Sequence, residues 1–155
     1  MIIPDVNLLV YAYDEPSPHH KKAKAWWENV LTGEERVGLL HVVIFGFTRI
    51  VTNRRISANA LSASEAAGCV RSWLRQPQVQ LLYPSEEHLE QVLSSLETLG
   101  TAGNLVSDAQ IAAFAIAHNA VLHTADSDFA GFHNLKWFNP IARTSSGRAN
   151  IGPAK

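Results

Sequence analysis

Short apolar runs alternate with stretches of helical spacing along almost the whole chain, and this alternation restricts the fold more than any other feature. The runs "MIIPDV", "RVGLLH", "VQLLYP" and "AVLHT" read as strands, and "LKWFNP" as a fifth near an edge. One or two helical segments separate each run from the next. Parallel strands need such crossovers, whereas antiparallel ones can be joined by tight hairpins. The pattern therefore predicts an α/β fold of three layers, with a central and mostly parallel sheet flanked by helices.

The helical segments carry their own end signals. "NLLVYAY" follows the first strand directly, and its crowded apolar residues fit a buried connection. In "SPHHKKAKAWWENVL", Ser17 is expected as N-cap with Pro18 at the first helical position. "VVIFGFTRIVTN" reads as helix despite its β-branched residues, and "LSASEAAGCVRSWLRQ" opens with Ser62 and Glu65 at capping-box spacing. "SEEHLEQVLSSLETLG" has acids in its first turn and Gly100 where a left-handed cap would stop it. In "SDAQIAAFAIAHN", Ser107 and Gln110 have the spacing of a second capping box, and Asn119 can end the helix. Residues 1–143 are expected to form one domain, and residues 144–155, "TSSGRANIGPAK", a flexible tail.

Composition removes several classes. With 155 residues the chain suits one domain with a real core, and 46% hydrophobic against 17% charged residues fits a globular protein rather than a disordered one. The formal charge of −1 gives no global basic field, although a local basic groove is compatible with it. Cys69 is the only cysteine, so no intrachain disulfide and no cysteine-based zinc site can form. Its small apolar neighbours predict a buried thiol on a helix. No cationic leader and no apolar run long enough to span a bilayer is apparent, which makes the cytoplasm the expected compartment and a membrane an unexpected partner.

The polar residues at the strand ends carry the chemistry. In parallel α/β sheets, ligands gather beyond the carboxyl ends of the strands. Asp5 ends the first run, while Asp126 and Asp128 in "VLHTADSDFAGF" follow the fourth. If those two strands are close, the carboxylates share one end of the sheet. Asp108 sits in the first turn of the helix that precedes the fourth strand, a commonplace position that favours an acid through the helix dipole by about 0.3–1 kcal/mol. The same position also points toward the shared end. Carboxylates gathered this way repel unless a cation lies between them. Mg²⁺ prefers oxygen ligands and keeps several waters, and beside a phosphodiester it activates water and neutralises the leaving oxygen.

"IIPDVNLLVYAY", "NLVSDAQIAAFAIAHNAVLHTADSDFAGF" and "LKWFNP", taken in order, resemble a PIN domain, and more narrowly the VapC-type toxins of bacterial toxin–antitoxin pairs. The likeness runs from Met1 to about Ile141, and the order of the motifs is more specific than any one of them. It implies a Mg²⁺-dependent endoribonuclease, with Mn²⁺ as a possible substitute, acting on RNA as the toxin of a type II module. By position, it implies metal ligation by Asp5, Asp108 and Asp126, an auxiliary catalytic carboxylate at Asp128, and supporting hydrogen bonds from Asn7 and Thr124. It also implies a homodimer and a cognate antitoxin seated in the groove of the pocket. One departure stands out. PIN domains usually carry a glutamate on the helix after the second strand; "HVVIFGFTRIVTN" has no acid there, and offers Arg49 instead. The alternative reading is accordingly a degenerate PIN domain that binds RNA or antitoxin without cleaving.

The remaining polar and aromatic residues are less specific. His19 and His20 are adjacent, and His118 and His123 fall on different elements, so no histidine pair has the spacing of a zinc site on one helix. Trp26, Trp27 and Trp73 occupy apolar helical positions, where packing is the commoner role and stacking on a base or partner the rarer one. Lys21, Lys22 and Lys24, with Arg54 and Arg55, form the basic clusters, readable either as a solvated face or as contacts to RNA phosphates.

Overall fold

The computed structural model of the chain describes residues 1–146. Its elements are β1 (Ile2–Pro4), α1 (Val6–Tyr13), α2 (His20–Thr32), β2 (Val37–Leu40), α3 (His41–Val51), α4 (Ala63–Leu74), β3 (Val79–Leu82), α5 (Glu86–Leu99), α6 (Leu105–Ala117), β4 (Val121–His123), β5 (Lys136–Asn139) and β6 (Thr144–Ser145), with a 3-10 turn over Ser127–Gly131. The sheet runs in the order β3-β2-β1-β4-β5-β6. All neighbours are parallel except β5 and β6. Every residue of β2 is buried, as a strand covered by helices on both faces requires.

Strand order fixes the site. β1 lies directly beside β4, with Ile2 opposite Val121, Ile3 opposite Leu122 and Pro4 opposite His123. The next residues in that register are Asp5 and Thr124, so the end of the first strand meets the end of the fourth. The backbone N–H of Asp5 donates to the His123 carbonyl at 2.9 Å, which extends the pairing by one step.

Tight packing brings α3 onto α1. A Cβ on Gly46 would stand 2.9 Å from Val6 Cγ2, so only glycine lets the two helices approach this closely. Behind them lies an aromatic core: Phe47 and Trp73 have ring centroids 4.8 Å apart, and Trp27 meets Trp73 edge-on at 5.4 Å. Trp73 donates its indole N–H to the Tyr13 hydroxyl at 2.9 Å.

Several expected ends are as the sequence indicated. Ser62 and Glu65 exchange both bonds of a capping box, and Gly100 closes α5 in the left-handed conformation. Others differ. Ser17 does not cap α2: the Ser-Pro-His segment forms its own turn, in which the Ser17 hydroxyl and carbonyl accept from the N–H groups of His19 and His20, and the helix begins only at His20. Ser107 does not cap α6 either. The helix starts three residues earlier than that cap would place it, at Leu105 after Asn104, and Gln110 bonds back to the Val106 carbonyl instead of completing a box. Cys69 lies on α4, as expected, but is only half-buried. The tail expected from position 144 begins with paired backbone, since Thr144 and Ser145 form β6 against Asn139 and Phe138. Residues 147–155 lie outside the described residues.

Candidate active site

Asp5 is the residue most fully built into the structure. It is the N-cap of α1, with Oδ1 accepting from the Val6 N–H at 2.6 Å. Its other oxygen, Oδ2, accepts from the Thr124 hydroxyl at 2.7 Å. Thr124 is fully buried and uses all its capacity. While its single O–H donates to Asp5, its oxygen accepts from the Asp126 N–H at 2.9 Å and the Asn7 amide at 3.4 Å. Asn7 in turn accepts from the Ala125 N–H at 3.3 Å. Asn7 and Thr124 thus tie the start of α1 to the loop after β4, holding Asp5 and Asp126 on one side of the junction.

Asp126 caps the 3-10 turn, its Oδ1 accepting from the Asp128 N–H at 2.8 Å. This local bond answers part of what the paired aspartates of "TADSDF" are for. One carboxylate folds the loop, leaving Asp126 with a second oxygen toward the cleft. Asp108 reaches the same place from the first turn of α6. Because α6 starts earlier than its sequence indicated, Ser107 and Asp108 are both inside the helix and line the cleft, as does Asn104. Asn104 and Ser107 are contributions that the sequence reading missed, since Ser107 had been assigned to capping.

These acids enclose a cleft of about 390 Å³ between α1, α3 and α6, with Asp5, Asp108 and Asp126 in its wall and Arg49 beside them. Asp128 is exposed at the rim and does not line the cleft. A larger hollow of about 640 Å³ lies under α2 next to Trp26, His123 and Arg143; its acids among the described residues are Glu34 and Glu35, neither of which ends a strand. There the Trp26 indole donates to His123 Nδ1 at 3.0 Å, while Trp27 and Trp73 belong to the core. Lys21 and Lys24 on α2, and Arg54 and Arg55 after α3, are exposed and none of them lines the acidic cleft.

Electrostatics single the cleft out. Burial pushes the Asp5 carboxyl up to about 7, against the lowering effect of its bonds to Thr124 and Val6, and the charges of Asp108 and Asp126 push in the same direction as burial. Asp108 rises to about 6, again first through burial and then through Asp126 and Asp128. Asp5 and Asp108 therefore both feel the charge of Asp126, and among the described residues neither forms an ion pair. Among those residues, no three His, Cys, Asp or Glu side chains stand close enough to enclose an ion by themselves.

The comparisons with known proteins agree with this architecture. The family model for the PIN domain matches residues 2–134. Ribonuclease VapC33 of Mycobacterium tuberculosis is 45% identical over 141 residues, spanning 91% of this chain and 99% of that protein. Among solved structures, M. tuberculosis VapC20, described as a toxin that cleaves the sarcin–ricin loop, superposes with a TM-score of 0.66 at 20% identity, covering 87% of this chain and 98% of that one. A toxin–antitoxin complex from Klebsiella pneumoniae gives 0.60 at 16% identity, over 90% and 98% of the two chains. The chain belongs to the PIN-domain family, as a ribonuclease of the VapC type.

Proposed function

We propose that the protein is a divalent-metal-dependent endoribonuclease and the toxin of a type II toxin–antitoxin pair. The observation that carries this reading is the meeting of Asp5, Asp108 and Asp126, from three separate elements, in one cleft at the carboxyl end of a parallel sheet. The donor set fits a hard cation. Asp5 and Asp108 are held above the usual carboxylate range partly by neighbouring charge, and a cation relieves that repulsion. That no three side chains enclose an ion is compatible with Mg²⁺, which takes one or two carboxylates from protein and keeps several waters.

Asp5, Asp108 and Asp126 would hold the ion, directly or through the waters it keeps, Mg²⁺ first and Mn²⁺ as a substitute. When bound, it would make water more acidic and offset charge on the phosphate and leaving oxygen. The chain's own residues supply positioning. Thr124 and the Val6 N–H fix both oxygens of Asp5, so the carboxylate cannot rotate away when its charge is needed. Asn7 and Thr124 keep the Asp126 loop against α1. Asp128 is an auxiliary carboxylate at the rim, acting on the site through its charge on Asp108. In hydrolysis the water oxygen bonds to phosphorus, the bond to the leaving sugar oxygen breaks, and a proton from water ends on that oxygen.

Support for the partners is indirect. A structural neighbour was solved as a toxin–antitoxin complex. A cognate antitoxin would close the acidic cleft, and a homodimer is the assembly that the family resemblance implies. No helix among the described residues is long and apolar enough to cross a membrane.

Cleavage of total RNA by purified protein with Mg²⁺ or Mn²⁺, beside Asp5→Asn and Asp108→Asn, tests the reading. Discrete, metal-dependent fragments should appear with the parent protein and fall by at least about 10²-fold in each variant, the scale of losing a principal electrostatic group. Equal cleavage by the parent and both variants would overturn the assignment. No cleavage by any folded form would favour a PIN domain that binds without cutting, a reading to which the lack of any acid on α3 gives a specific basis.

A further inference from the structure

The one cation that lines the acidic cleft among the described residues has no partner there. α3 turns Val42, Gly46, Arg49 and Ile50 toward the cleft, a spacing that places them along one helical face. Gly46 lets this face approach α1 at van der Waals distance, and the next turn then carries Arg49 to the cleft wall. The side chain is exposed, and it forms no ion pair with Asp5, Asp108 or Asp126. A cation in the last turn of a helix is favoured by the helix dipole anywhere on its circumference, by about 0.3–1 kcal/mol. The dipole does not explain why the residue stands in the wall of the same cleft as Asp108, where an RNA strand would enter.

We propose that Arg49 is the phosphate-binding residue of this site, its guanidinium holding the nonbridging oxygens of the phosphodiester presented to the acids. The inference rests on the nuclease reading for the identity of the substrate. The phosphodiester is an anion entering a cleft whose wall already carries three carboxylates. An ion held by those carboxylates would offset their charge, and Arg49 offsets that of the phosphate. Its planar fork of donors matches two phosphate oxygens at once, which a lysine's point charge cannot do. As the reaction proceeds, charge spreads over the equatorial oxygens that the fork contacts, so the interaction strengthens toward the transition state. In this arrangement α3 contributes to phosphate binding, and the acids come from the strand ends and α6.

The test separates phosphate binding from catalysis. Binding of a mixed-sequence, single-stranded oligoribonucleotide is measured against salt concentration in the full chain carrying Asp108→Asn, with Arg49 intact, Arg49→Gln or Arg49→Lys. Arg49→Gln should weaken binding about tenfold and flatten the slope of log K against log salt by about 0.7, the value for one phosphate contact on a single strand. Arg49→Lys should restore the slope while leaving part of the affinity loss, and thermal melting should be the same in all three. Unchanged affinity and slope in Arg49→Gln would overturn the inference. So would an equal loss in both variants accompanied by a fall in melting temperature, the mark of a structural role. Absence of binding by the Arg49-intact protein would overturn it too.

Cleavage of total RNA distinguishes the two levels of failure. If the otherwise unaltered protein cuts, Asp5→Asn does not, and Arg49→Gln cuts as well as the parent, the nuclease stands and the role of Arg49 falls. If nothing cuts but Arg49→Gln still loses the salt slope, the nuclease reading falls and the phosphate contact stands.

Discussion

Helix α1 has a different kind of buried neighbourhood at each end. At its carboxyl end, Tyr13 joins Phe47, Trp73 and Trp27 in an aromatic cluster, with ring centroids 4.8 to 5.4 Å apart at its closest contacts. Most of the polar atoms there are matched, as in the Trp73 to Tyr13 bond. At its amino end, Asp5 is as deeply buried as much of the core, yet it faces other acids and is held near neutrality by burial. The first region is optimised for stability. The second stores repulsion that a folded protein would lose by a single substitution, and keeps it where chemistry is expected.

Trp73→Ala makes the largest break in this comparison. The side chain is fully buried and makes edge contacts on more than one side. Its removal leaves a cavity and frees the Tyr13 hydroxyl, at an expected cost of about 3–5 kcal/mol. In a domain of this size each kcal/mol shifts the melting temperature by about 2–4 °C, so thermal unfolding should move down by roughly 10 °C. A shift under about 3 °C would show that the cluster is not the stabilising region assigned to it.

The acidic end should respond to pH in the opposite sense from an ordinary ion pair. Asp5, at about 7, and Asp108, at about 6, lie above their unfolded value of 3.8. A raised carboxyl contributes stability that is complete below the unfolded value and is lost as pH rises through the folded one. His123, pushed down to about 4 by burial, acts the other way, its contribution being lost as pH falls from 6.5. The difference between Asp5→Asn and the parent cancels the histidine. In metal-free buffer that difference should move in favour of Asp5→Asn from pH 5 to pH 8, by several degrees. Asparagine disturbs the bond from Thr124 at every pH, so the trend is diagnostic and the absolute offset is not. Millimolar Mg²⁺ should reduce the difference at pH 8 if these acids hold the ion; a difference independent of pH would contradict the buried, shared charge.

The same contrast explains what was legible in the sequence. The sheet was readable because a buried parallel strand is a continuous apolar run, as in "VGLL", and because its crossover helices interrupt those runs regularly. Asp5 and Asp126 were readable because polar residues directly after such runs fall at strand ends. The adjacency of β1 and β4 was not, since strand order is set by packing between distant segments, here Ile3 against Leu122. Helix starts failed where side chains had other work. Ser17 serves a proline turn, and Ser107 faces the cleft from within α6. Serine signals a cap only when no competing partner exists, and tertiary structure decides that. Arg49 was visible as the one charged residue on an acid-free helix; its place in the cleft wall beside α1 depends on the close approach of Gly46 to Val6, which sequence spacing cannot relate.

The smallest effect comes from inside the stable region, and it sharpens what "matched" means there. Trp27 and Trp73 are both buried and in contact, but among the described residues the Trp27 indole N–H has no hydrogen-bond partner, whereas that of Trp73 has Tyr13. Replacing either by phenylalanine removes similar apolar area and leaves a similar void. At Trp27 the substitution also removes an unsatisfied donor, whose burial costs about 1–3 kcal/mol, so the two effects offset and the net change should stay within about 1 kcal/mol. At Trp73 it instead strips a donor from the Tyr13 hydroxyl, and the costs add. Trp73→Phe should therefore melt about 2–8 °C below Trp27→Phe. Equal melting temperatures would mean that the tyrosine bond contributes nothing net, and that ring packing alone separates this end of α1 from the acidic one.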